Sequence, residues 1–255
     1  HGTSRRQRQM CIRDSYNTIS SPQKMIEHHV ITPFTTEWII YNSITLTLIL
    51  IVILFGRRLY DDGKHYLTLG LSTLFIIEFV GMEIFHYNKG FWFIEDSLPL
   101  HMCAIMWFVT IYLFISKSQW AFELMLFIGM PGGIHSLLTP ELTHGTTLLD
   151  KIDYFLAHGG LVMAPFYAIF VLNMWPRKNA IWRAFLIINV IALAVGIVNW
   201  VVDANYMYLA SRPIVDNPLI PPPSIIFGQW PYYILIFQLA LLGHALVCLL
   251  YTSPS

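Results

Sequence analysis

The sequence predicts an all-α polytopic membrane helix bundle with about seven transmembrane helices. Of its 255 residues, 56% are apolar, 15% are aromatic and only 12% are charged, whereas a soluble domain carries roughly 25% charged residues. The mean hydropathy of +0.57 points the same way. These values exclude a disordered chain, an ordinary soluble enzyme and a nucleic-acid binder, and the zero net charge implies no electrostatic partner.

Stretches that are long and apolar enough to cross a bilayer occur seven times, since a spanning helix needs about 20 such residues. The long connection at 203–230 contains three consecutive prolines and is too polar to span. The predicted spans, in order, are 37–55, 66–86, 97–116, 120–138, 151–175, 180–202 and 231–250.

The distribution of Lys and Arg predicts how these spans are oriented. Cytoplasmic loops carry an excess of these residues, and the odd loops are the richer set. We therefore expect the N-terminus outside and the C-terminus in the cytoplasm. The odd loops and their flanks hold Arg57, Arg58, Lys64, Lys117, Arg177, Lys178 and Arg183, and the even ones hold Lys89, Lys151 and Arg212.

The two ends differ in character from the apolar core. Residues 1–15 are basic and lack the apolar centre of a signal peptide, and we expect them and residues 248–255 to be non-native sequence. Residues 16–36 are then an N-terminal extramembrane segment, and 37–247 are the seven-helix transmembrane domain. Under this division Cys103 is the only native cysteine.

Polar residues within the spans carry the functional signal, because ionisable groups in a membrane usually face the bundle interior. Counting depth along each span places polar side chains from five spans in the outer half, which predicts a common pocket. The inner half holds Glu123 and His244, which have no evident partner in the sequence. The pocket candidates are Glu83, His86, His101, Cys103, His135, His158, Asn199, Asp203 and Asn205.

Cys103 and His158 are the candidates for catalysis. A free thiol is mostly protonated at neutral pH, and a thiolate is the nucleophile. We expect Ser97 to cap the helix that carries Cys103, with Pro99 in its first turn, so that the helix dipole favours the thiolate. His158 lies at matching depth and could take the proton. The alternative for Cys103 is that it only packs.

Several segments resemble, in order, the bacterial YwaF-type integral membrane proteins, which are similar to eukaryotic transmembrane protein 164, an acyltransferase that moves fatty acyl chains between lipids. The resemblance covers roughly residues 30 to 245. His101 departs from the Gln expected at its position. The matching segments are LPLHMC at 98–103, GGIHSLLTP at 132–140, AHGG at 157–160, NYMYL at 205–209 and WPYY at 230–233.

What the resemblance implies is a thioester acyl-enzyme on Cys103, with His158 as general base and acid. The substrate would be a membrane lipid, drawn from the outer leaflet of a bacterial inner (cytoplasmic) membrane, and no cofactor is needed. Whether the acyl group passes to another lipid or to water stays open. Candidate oxyanion donors are Asn199, His135 and the backbone at Gly132 and Gly133, and Glu83 or Asp203 could orient a histidine.

Two other classes of function fit parts of the pattern. The first is a zinc-dependent membrane hydrolase, with ligands drawn from His86, His135, His158 and Asp203, although no HxxxH or HExxH pair is present. The second is a non-enzymatic transporter or receptor, in which Glu78 and Glu83 could relay protons. The sequence has no inverted repeat that would support this second class.

Overall fold

The computed structural model describes residues 29–143, 145–213 and 219–252. The expected non-native segment 1–15, most of segment 16–36 and the last three residues of segment 248–255 lie outside this part. The division of the ends therefore stays a prediction.

The described residues form a bundle of seven helices joined by short connections and one long one, which confirms the predicted fold class. Two short strands, His29–Val30 and Glu141–Leu142, pair antiparallel across one end of the bundle, with His29 opposite Leu142. The orientation of the bundle in the membrane stays a prediction. The elements are β1 His29–Val30, α1 Thr36–Arg58, α2 Asp61–Lys89, α3 Met102–Ser116, α4 Gln119–Leu138, β2 Glu141–Leu142, α5 Leu148–Phe170, α6 Ala180–Val202 and α7 Tyr233–Thr252.

Five helices, α1, α2, α4, α5 and α6, are long and apolar enough to cross a membrane. The helices α4 and α5 form the centre of the bundle. In an apolar stretch of 18 residues, 72% of α4 is buried, whereas only 17% of the corresponding stretch of α6 is buried. The outer helices instead expose apolar side chains such as Leu50, Ile197 and Trp200. In a bilayer these exposed faces meet lipid.

The third helix is shorter than the sequence predicted. It begins at Met102 rather than at residue 97, and its N-cap residue His101 makes no side-chain cap. Ser97 does not cap it, which corrects that expectation, because its hydroxyl accepts from the Phe93 N–H at 3.0 Å within the preceding turn. The apolar run LPL extended the predicted span, but Pro99 favours a turn there.

The central helix α4 changes its hydrogen-bond register halfway. Residues Met125–Gly129 form a π-helical segment, and α-helical pairing resumes at Met130–Leu138. Pro131 is the second residue of the resumed α-helix. Because proline has no N–H, one further backbone hydrogen bond of the helix is missing there. A proline within a helix disturbs its regular pairing, and the irregular segment lies just before Pro131.

Glu123 has partners that the sequence did not reveal. Its carboxylate is buried at the start of α4 and accepts from the Arg177 Nε at 2.8 Å and from the Arg183 Nη2 at 3.2 Å. The carboxylate raises the pKa of the Arg177 guanidinium above its usual range through these hydrogen bonds. The α5–α6 connection is thereby tied to α4.

This cluster predicts an asymmetric effect on stability. The Glu123 side chain is 2% exposed, whereas those of Arg177 and Arg183 are 51% and 41% exposed. Removing the partners of the buried carboxylate should therefore lower the free energy of unfolding more than removing the partner of the two solvated guanidinium groups. We expect the double variant R177A/R183A to lower the Tm in detergent more than E123Q does. Equal melting temperatures for the two variants would contradict this ranking.

Candidate active site

A cavity of about 690 Å³ opens at the end of the bundle where β1, β2 and the α2–α3 and α6–α7 connections meet. It brings together six of the nine predicted pocket residues. Asn199, Asp203 and Asn205 do not line it. The six are Glu83, His86, His101, Cys103, His135 and His158.

Cys103 is the second residue of α3 and is partly buried against α4. Its Sγ lies 3.8 Å from the Ser136 Oγ, and it faces Gly132, where an added Cβ would lie 3.9 Å from the sulfur. The thiol thus projects into the cavity from the uncapped end of a helix. The first-turn N–H groups of such a helix have no intrahelical acceptor.

His158 on α5 lines the same cavity as Cys103 and interacts with its thiol. Its Nδ1 lies 2.8 Å from the Tyr154 carbonyl oxygen, and a carbonyl only accepts, so Nδ1 must carry the proton. In the neutral imidazole, Nε2 is then the unprotonated nitrogen. The ring also packs on the Tyr154 ring, with 4.2 Å between centroids. The backbone therefore fixes a tautomer that can accept the thiol proton.

Neither of the two acids proposed to orient a histidine does so here, which corrects that expectation. Glu83 accepts from the Trp92 indole N–H at 2.9 Å, and Asp203 is exposed in a left-handed conformation just after α6. The carboxylate whose charge acts on His158 is Asp153, which also contacts Glu78. Asp153 and His158 both line the cavity, and the spacing in the sequence does not indicate that they act on each other, because side chains that share a helix face are three or four residues apart.

Asn199 and Asn205 hold the α6–α7 connection instead of the cavity. The Asn199 Nδ2 donates to the Tyr206 carbonyl and its Oδ1 accepts from the Tyr206 N–H, both at 2.9 Å, so the amide faces the connection and does not line the cavity. Asn205 bonds the backbone of Ala210 and Ser211. All three predicted residues lie where α6 ends and the connection begins, since the helix ends at Val202 and Asp203 takes left-handed backbone angles.

The remaining histidines of the cavity are paired with other side chains. The Nε2 atoms of His135 and His244 are 3.0 Å apart. The His244 Nδ1 donates to the Ala240 carbonyl, so in the neutral pair His135 donates through Nε2 and that N–H faces away from an oxyanion. His244 thus has a partner, contrary to the sequence prediction. The His86 Nε2 lies 3.3 Å from the Asp150 Oδ1, and the His101 Nε2 lies 3.7 Å from the Asp96 Oδ1.

The four residues of the zinc hypothesis do not converge. His86, His135 and His158 each pair with a different group, and Asp203 lies outside the cavity. Within 29–143, 145–213 and 219–252, no three His, Cys, Asp or Glu side chains are placed to hold a metal ion. The zinc alternative therefore has no support in this geometry.

Two glycine pairs allow the helices that carry the site to approach closely. A Cβ at Gly133 would lie 2.8 Å from the His158 carbonyl oxygen, and one at Gly160 would lie 2.5 Å from the Trp107 ring. The absence of a side chain at Gly133 therefore lets α4 pack closely on α5, and its absence at Gly160 lets α5 pack closely on α3. The GG dipeptides at 132–133 and 159–160 thus help to place Cys103 beside His158.

Gly133→Ala should therefore destabilise the protein. The forced separation of α4 from α5 costs about 1–3 kcal/mol, which exceeds the roughly 0.5–1 kcal/mol gained by replacing a helical glycine. The matched control is Gly196→Ala, since nothing lies within 4 Å of a Cβ there. Thermal unfolding in detergent should show a lower Tm for the first variant only. Equal melting temperatures for Gly133→Ala and Gly196→Ala would mean that α4 and α5 are not in contact at Gly133.

Fold and site together define a polytopic helical membrane protein with a Cys–His pair in a cavity at one end of the bundle. The chain belongs to the TMEM164 family, whose family model matches residues 30–251. Comparison with curated proteins and with solved structures found no significant match. The resemblance to transmembrane protein 164 is thereby confirmed at the level of the family, while the bacterial YwaF-type assignment stays a prediction.

Proposed function

We propose that this protein is a membrane-embedded Cys/His lipid acyltransferase or lipid-ester hydrolase that acts through a thioester on Cys103. The observation that carries the proposal is the place of the Cys103 thiol and His158 in one cavity, with the His158 Nδ1 committed to the Tyr154 carbonyl. That arrangement is a nucleophile beside a base of fixed tautomer. The bacterial inner membrane stays the predicted location.

The first half of the reaction forms the thioester. The His158 Nε2 takes the thiol proton as the Cys103 Sγ attacks the carbonyl carbon of a lipid ester. The tetrahedral oxyanion collapses, the bond to the lipid oxygen breaks, and the leaving alkoxide takes the proton back from His158. The products are a lysolipid and an acyl group on Cys103.

The second half releases the acyl group. An acceptor hydroxyl, from another lipid or from water, gives its proton to His158 and attacks the thioester carbonyl. The carbon–sulfur bond breaks, and the departing thiolate is reprotonated by His158. The choice of acceptor decides between transferase and hydrolase, and both start from the same intermediate.

Backbone amides of α3 are the best candidates for the oxyanion donors. His101 provides no side-chain cap at this helix end, and the first-turn N–H groups of Cys103 and Ala104, two residues that line the cavity, have no intrahelical acceptor. They replace Asn199, which does not line the cavity, and His135, whose Nε2 is paired with His244. A nucleophile and its oxyanion donors would then share one turn of helix.

The experiment is to trap the acyl-enzyme. Purified protein in vesicles is incubated with a phospholipid radiolabelled in its acyl chains and quenched in acid. We expect protein-bound label that neutral hydroxylamine releases, and the same label in Cys248→Ser, since Cys248 does not line the cavity. Absence of label together with absence of lysolipid release would refute the proposal.

A transporter or receptor is the second candidate, favoured by the contact of Glu78 with Asp153 in the cavity beside His158. Two carboxyl groups in contact are suited to sharing and passing a proton. Under this function Cys103→Ser should be nearly silent, whereas Glu78→Gln should abolish uptake. Uptake that survives Glu78→Gln would exclude this candidate.

A further inference from the structure

The α6–α7 connection contains a segment with no charged residue. We name residues 219–232 the proline loop; it holds Pro221, Pro222 and Pro223 and ends where α7 begins. Ile220 is buried, but most of the large apolar side chains that follow it are not packed inside the protein. Ile225, Ile226, Phe227, Trp230 and Tyr232 are each 43–55% exposed. A continuous apolar surface of this kind marks a contact with a protein or a membrane.

Part of the backbone of the proline loop is paired within the loop. The prolines have no N–H to satisfy. The N–H groups of Ile225, Gly228 and Gln229 donate to loop carbonyls at 3.0–3.1 Å. Internal pairing of this kind is what backbone needs where water is scarce, because an unsatisfied polar group in lipid is costly.

Carbonyl groups of the proline loop are also covered by side chains. The Arg212 Nη1 donates to the carbonyls of Pro221 and Gly228 at 2.8 and 3.0 Å, and the Gln229 side chain donates to the Pro223 carbonyl. The Trp230 indole N–H donates to the Leu209 carbonyl at 2.8 Å. These bonds hold the loop in one shape while its apolar tip faces outward.

The position of the proline loop indicates what the tip meets. The loop runs directly into α7, whose Leu235 and Leu239 are exposed on a membrane helix. Leu219 at its other end lines the cavity. The loop therefore lies between the lipid-facing side of α7 and the site, and its apolar surface continues that of the helix.

We propose that the proline loop inserts its tip, Ile225, Ile226 and Phe227, into the lipid leaflet beside the cavity, with Trp230 at the level of the headgroups. Trp is enriched at that level because its ring is apolar and its N–H is polar. A second copy of the chain is the less suitable occupant. Five half-exposed side chains fall short of the roughly 800 Å² that one partner buries in a stable interface.

The proposal is independent of acyl transfer and is tested by the depth of a spin label. Phe227→Cys is labelled with a nitroxide in a chain with Cys11, Cys103 and Cys248 changed to Ser, and is reconstituted in phosphatidylcholine vesicles. Power saturation compares collisions with oxygen, which concentrates in lipid, and with a water-soluble nickel chelate. The matched control is Lys89→Cys, an exposed position at the same end of the bundle.

We expect the label at 227 to favour oxygen and the label at 89 to favour nickel. Nickel access at 227 equal to that at 89 would place the loop in water and overturn the proposal. Dipolar broadening that disappears on dilution with unlabelled protein would show a second copy at the tip, which also overturns it. If Phe227→Cys fails to fold, the neighbouring label at Ile226→Cys provides the same comparison.

Discussion

Cys103→Ser is expected to lower acyl transfer by roughly 10⁴–10⁶-fold, the range for loss of a nucleophile. The serine hydroxyl occupies nearly the same place beside Ser136 and His158, so binding of the lipid should change little. The hydroxyl is a far weaker acid than the thiol, and the barrier to attack rises accordingly. Turnover of a labelled phospholipid in vesicles measures the effect.

Two further results would support the role of Cys103. Any acyl group trapped on Cys103→Ser should be an oxygen ester and should resist neutral hydroxylamine. Cys248→Ser should retain activity, because its thiol packs 3.8 Å from the Leu126 carbonyl outside the cavity. Full transfer by Cys103→Ser would mean that the thiol only packs and that another group is the nucleophile.

His158→Ala should reduce transfer by about 10²–10⁴-fold, the usual contribution of a general base. It should also slow alkylation of Cys103 by a small thiol reagent at neutral pH, because no group would then accept the thiol proton. This second readout needs no lipid substrate. It separates a role in proton transfer from a role in binding.

The control for His158 is His135→Ala. His135 lines the same cavity, but its Nε2 contacts His244. Its removal should leave the alkylation rate of Cys103 near that of the native protein. If both variants slowed alkylation equally, the cause would be a general change in the cavity. If neither did, His158 would not be the base.

The sequence predicted helix positions better than helix neighbours. The bounds of α6 agree at both ends, since an apolar run between polar connections defines it. Depth along a helix follows from its rise per residue, which is why Cys103 and His158 were predicted at one level. The direction in which a side chain points around its helix depends on tertiary packing, so Asn199 was wrongly assigned to the pocket.

The sequence also could not predict side-chain contacts between residues that are distant along the chain. Glu123 bonds arginines more than 50 residues away, across the α5–α6 connection, and nothing in the local pattern of α4 indicates them. Asp153 was visible as an acidic residue near the start of α5. Its action on His158 depends on both side chains lining one cavity, and a spacing of five residues along a helix does not indicate that.

The acceptor for the His158 Nδ1 is a main-chain oxygen, and every amino acid supplies one. Side-chain substitution therefore cannot remove it, and a complete alanine scan should identify two essential residues where a serine protease shows three. Aligned sequences should likewise show no invariant acid in that role. The orienting group would become visible only through backbone chemistry, such as an ester substituted for the peptide bond after Tyr154.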